Sequence, residues 1–96
     1  MKDEKKVQFN LKLPKARGSK EFFDIIINDV DESTYIMAGS LVKAGKEIEA
    51  VKLVLKELHA GGDNIEEVLS CFHAVHSAST AILELLTPAE VQLKKN

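Results

Sequence analysis

Cys71, His73 and His76, in the stretch "CFHAVHSAST", are the residues whose types most invite chemistry. Thiolate and imidazole are common zinc ligands, and together they form a familiar nucleophile and base. Their spacing argues against both uses. On a helix, His73 and His76 stand three residues apart and share a face, whereas Cys71 lies two residues before His73 and points elsewhere. A tetrahedral site would need two further ligands from other elements, and His59 is the only remaining histidine. Ser70, Ser77, Ser79 and Thr80 fall at helix-interior positions with neither the sharp turn that presents a nucleophilic serine nor a base and acid spaced to activate it. The expectation is a protein that is not an enzyme and uses no metal or other cofactor. Cys71 then reads as a small apolar side chain on a helix.

The second polar cluster is Gly61-Gly62-Asp63, within "KELHAGGDNIEEV". Glycine amides ahead of a helix N-terminus can cradle an anion. Here the carboxylates of Asp63, Glu66 and Glu67 would repel one, and no lysine of the phosphate-loop kind follows. The triplet is instead expected to be a structural joint. One glycine closes a helix in the left-handed conformation, and Asp63 caps the next helix with Glu66 completing a capping box.

A helix, a joint and a second helix also describe a nucleic-acid-binding unit, so charge has to be weighed. No Lys or Arg occurs from Leu58 to Leu93, and a recognition helix without cations cannot meet phosphates. Residues 1–20 carry seven Lys/Arg against two acids, and residues 21–96 carry six against thirteen. The formal net charge of −2 therefore conceals a basic start and an acidic body. A basic arm at 1–6 followed by Lys12, Lys15 and Arg17 could dock on an acidic surface, including that of another copy.

The elements that must position these residues follow from periodicity. Val7, Phe9, Leu11 and Leu13 alternate with polar residues as a half-wet strand does, and "EFFDIIIN" gives a second strand with Phe23, Ile25 and Ile27 on one face. Pro14 and Gly18 between them supply turn chemistry, so residues 7–28 are expected to form a β-hairpin with a long loop. A lone hairpin is marginal in water and needs a helical layer beneath it. Three helices are expected within 31–93. The first is capped by Asp29, Asp31 or Ser33, buries Ile36, Met37, Leu41 and Val42, and ends near Gly45. The second buries Ile48, Val51, Leu55 and Leu58. The third is long and runs to about residue 86. Thr87, Pro88 and Glu90 predict a short C-terminal helix through Leu93. The fold class is α+β, one domain over 1–96, with a hairpin packed on three helices.

Composition agrees with a binding rather than a catalytic role. Ninety-six residues, 45% hydrophobic and without Trp, leave little room for a deep cleft. No apolar run approaches the length of a membrane span, and the first residues lack a signal-peptide core. The single Cys71 fits a reducing compartment, so a cytoplasmic protein is expected. On the third helix Ser70, Ala74, Ser77, Ala78 and Ala81 recur at three- and four-residue steps, a flank on which another backbone could lie. That helix is either helix two of the same chain or a partner. Ala74, Ser77, Ala78 and Ala81, with Lys12, Lys15 and Arg17, are the candidate protein interface.

The hairpin start, "ELHAGGDNIEEV" and the ending "AILELLTPAEVQLKKN" together resemble small proteins encoded among the virion genes of phages of Bacteroidetes-type bacteria. More distantly they are similar to phage tail-assembly chaperones. The chain departs from that pattern at Asp31-Glu32-Ser33, where the relatives carry a proline and a basic residue. The resemblance carries no catalytic motif. It implies a non-enzymatic assembly protein in the host cytoplasm, binding a tail or virion protein as chaperone or adaptor. The alternatives are a virion component that forms a ring or oligomer, and a small nucleic-acid-associated accessory protein.

Overall fold

The computed structural model describes residues 7–87. The expected basic arm at 1–6 and the C-terminal helix from Pro88 lie outside the described residues. β1 (Gln8–Pro14) and β2 (Phe22–Asn28) pair antiparallel from Gln8 opposite Asn28 to Pro14 opposite Phe22. The alternation reads as expected. Leu13, Phe23, Ile25 and Ile27 are buried, with Phe9 and Leu11 half-buried beside them. On the other face Gln8 donates to the Asn28 side chain at 2.9 Å and Asn10 to the Asp24 carboxylate at 2.6 Å, polar cross-strand pairs that hold the same register.

α1 (Glu32–Lys43) begins at Asp31, whose carboxylate accepts from the Thr34 backbone N–H at 2.8 Å. It ends in a Schellman motif. Gly45 takes φ 81° and donates to Val42 O, and the Lys46 N–H reaches back to Leu41 O at 2.8 Å. The buried side of α1 differs from the expectation. Thr34 and Ala38 are buried and Leu41 and Val42 half-buried, whereas Ile36 is 57% and Met37 43% exposed. The small Thr34 and Ala38 set the face that packs on α2 (Glu47–Leu58), which leaves Ile36 and Met37 outside. In α2 the expected stripe is present: Val51, Leu55 and Leu58 are buried, Ile48 is half-buried, and Ala50 and Val54 widen the stripe.

The Asp31 cap has a pH signature. Hydrogen bonds from Thr34, the backbone N–H first, hold the Asp31 carboxyl below its ordinary value. A depressed folded pKa means that the cap's contribution is complete above the unfolded value of about 3.9 and is lost as pH falls through the lower folded value. Asp31→Ala should therefore lower the Tm at neutral pH, and the gap to the wild type should close below about pH 4, whereas Asp31→Asn, which caps without titrating, should not show that pH dependence. Thermal melts from pH 2 to 7 read both.

After α2 the chain does not form the expected joint. His59–Gly62 is a third strand, β3, antiparallel to β2, and the sheet order β1-β2-β3 puts β2 in the middle. The register shifts between Ile26 and Ile27, so Ala60 is bulged out. Gly62, with φ 93°, lies so close to β2 that a Cβ would meet Asp24 O and stand 2.7 Å from Ile25 Cα. Asp63 is not the helix cap. Its carboxylate accepts from the Asp24 N–H at 2.8 Å while its own N–H donates to Asp24 O at 2.9 Å, which clamps the end of β3 to β2. The cap of α3 (Ile65–Ser70) is Asn64, whose side chain accepts from Glu66 N–H at 2.8 Å and Glu67 N–H at 3.2 Å.

The expected long third helix is two helices. Cys71 is extended, φ −96° and ψ 105°, and separates α3 from α4 (Phe72–Leu85). Its thiol donates to Lys15 O in the hairpin loop at 3.2 Å. That tether fastens the break to the sheet, and α4 then runs across β1 and packs on α2. Ala74, Val75, Ala78 and Ile82 are its buried side. The result is an α+β fold with a three-stranded antiparallel sheet and four helices among the described residues. No described helix is long and apolar enough to cross a membrane.

Candidate protein-binding groove

The candidate interface residues do not converge on one surface. Ala74 and Ala78 are 0% and 1% exposed and serve the chain's own packing between α4, α2 and β1, so the close approach their size permits is already used. Ser77 is exposed on the outer side of α4 and Ala81 half-buried at its flank. Lys12 is exposed on β1 and Arg17 in the hairpin loop. Lys15 is engaged locally, its Nζ 4.9 Å from the centre of the Phe23 ring.

The histidines are dispersed too. His59, on β3, has Nε2 3.1 Å from Asp63 O and serves the clamp. His76 stacks on Phe72 with ring centres 5.4 Å apart, and Phe72 is 69% exposed. Among the described residues no three of His, Cys, Asp and Glu are grouped to hold a metal. Zinc or a chelator should shift the Tm by less than about 1 °C, since no bound metal would contribute to folding. A stoichiometric metal in the purified protein would contradict this.

A concave surface lies elsewhere, between the outer face of α1 and the C-terminal end of α4. It is a groove of ≈ 550 Å³ whose apolar lining includes Tyr35, Ile36, Val42, Leu83 and Leu86, with Lys43 and Glu47 at its rim. Gly39 and Ser40 form a low stretch of the α1 wall, where a Cβ on Gly39 would meet nothing within 4 Å among the described residues. Tyr35 and Ile36 are 41% and 57% exposed, a pairing of large apolar side chains with open space that a folded chain ordinarily covers. The Ser40 and Thr87 hydroxyls in the lining both donate to backbone carbonyls, Ile36 O at 3.2 Å and Leu83 O at 3.0 Å. The groove's chemistry is that of apolar contact bordered by one charge of each sign, which suits a helix or an extended segment of another protein.

The sequence reading missed this surface because it placed Ile36 on the buried side. The available signal was the spacing of Thr34, Ala38, Leu41 and Val42, an i, i+4, i+7, i+8 set that leaves Ile36 about half a turn away and Tyr35 at the edge of the set beside Val42. No family model, curated protein or solved structure matches the chain. The class that the fold and the groove define is an α+β domain with an apolar helix-lined groove.

Proposed function

We propose that this chain is a non-enzymatic binding protein whose groove between α1 and α4 receives an apolar segment of a protein partner during assembly. The observation that carries the reading is Ile36, more than half exposed on the wall of a groove lined by Val42, Leu83 and Leu86. Burying such a side chain fully contributes about 1.5–3 kcal/mol, the size of an interface anchor. The resemblance to virion-module proteins and tail-assembly chaperones narrows the role to phage assembly, where holding an apolar segment before polymerisation is the chaperone's task.

A photoreactive residue at Ser40, exposed on the groove wall, tests the reading in cells that naturally make the chain. One dominant covalent protein adduct at Ser40, absent when the same group replaces Lys52 on α2, is the expected outcome. Equal labelling at both positions, or none at Ser40, would remove the groove as a binding site.

A further inference from the structure

We propose that α1 is self-complementary and that the partner seated on it is a second copy of this chain, packed antiparallel about a two-fold axis. The inference rests on the binding reading above and names the occupant of the same groove. Glu32, Ile36, Gly39 and Lys43 recur at i, i+4, i+7 and i+11 along the outer face of α1, with Tyr35 and Ser40 beside them. All are exposed except the half-buried Gly39.

One axis, passing beside α1 at the level between Met37 and Ala38, satisfies both central pairs at once. It sets Glu32 opposite Lys43 of the other copy and Ile36 against the bare backbone of Gly39, while Tyr35 and Ser40, on opposite flanks of the stripe, each lie nearest their own counterpart. Among the described residues the space above Gly39 is open, with nothing within 4 Å of an added Cβ, so a large knob meets an empty hole twice in an isologous contact. Helix dipoles also favour the antiparallel arrangement, since each acidic N-terminus lies beside a basic C-terminus. A parallel pair would instead set Glu32 against Glu32 and Ile36 against Ile36. A 12-residue helix is about 18 Å long, so with the α4 rim the interface is small and the dimer weak.

Light scattering and sedimentation of the full chain at about 0.05 M salt, where exposed ion pairs are screened least, read the prediction. The wild type should dimerise below about 1 mM, the affinity range of small interfaces. Glu32→Lys and Lys43→Glu should each weaken the dimer by about tenfold or more, because each replaces two attractive pairs with two repulsive ones. Mixing the two variants in equal amounts should restore a heterodimer of near wild-type affinity, since every facing pair is then opposite in sign. This rescue cannot come from repair of either fold. Gly39→Leu, which has room within one chain, should leave the monomer folded and abolish the dimer.

A wild type that stays monomeric at about 1 mM, a mixture without rescue, or a Gly39→Leu that still dimerises would each overturn the self-pairing. The Ser40 cross-link separates this failure from that of the binding reading. An adduct with a different protein leaves the groove a binding site and removes the second copy. A link within one chain to residues 88–96 removes both.

Discussion

Gly62→Val should lower the stability of the chain by about 3 kcal/mol or more, while Gly61→Ala changes it by only a few tenths. The left-handed backbone at Gly62, φ 93°, alone costs a branched residue about 1–2 kcal/mol. The added Cβ would also overlap Asp24 O and press on Ile25 Cα, and these are backbone atoms that no rotamer change can move aside. At Gly61 the nearest atom to an added Cβ is Ile26 Cδ1 at 3.8 Å, an ordinary contact. Urea unfolding measures the two losses. Hydrogen exchange should show the Asp63 amide, bonded to Asp24 O at 2.9 Å, losing protection first as β3 parts from β2. Equal small losses at both glycines would mean that β3 is not paired as described.

Ala78→Glu should unfold most of the chain rather than merely block an interface. Ala78 is 1% exposed on the side of α4 that packs on the chain's own core, so a carboxylate there is buried without a partner. An uncompensated buried charge costs about 3–5 kcal/mol, much of the roughly 5–15 kcal/mol that holds a domain together. Ser77→Glu, one residue away and exposed, should stay within about 0.5 kcal/mol of the wild type. Were Ala78 instead a partner contact, Ala78→Glu would give a folded monomer with an unchanged melt. Circular dichroism with thermal melts separates the two outcomes.

The proposed interaction surface therefore lies on α1 and not on α4. Ile36 and Gly39, not Ala74 and Ala78, are the residues at which substitution should change association without changing the fold.

Several features were decided by local sequence. The pairing of β1 with β2 was legible because Phe9, Leu11 and Leu13 alternate with polar residues while Phe23, Ile25 and Ile27 share one face, and the observed register sets these two triplets directly opposite each other. The face of α2 and the Asp31 and Gly45 ends of α1 were legible because capping and amphipathic periodicity act within a few residues.

Tertiary structure decided the rest. β3 is four residues with two glycines and no alternation, and it is a strand only because β2 offers it an open edge and Asp63 clamps it there. The break at Cys71 has no proline or glycine to announce it, and it coincides with a thiol contact to Lys15, 56 residues away in sequence. Which side of α1 faces water depended on α2, whose packing is met by the small Thr34 and Ala38 in preference to the larger Ile36 and Met37. Periodicity marks the apolar positions of a helix, but only the neighbour against which it packs determines which of them are buried and which remain on the wall of a groove.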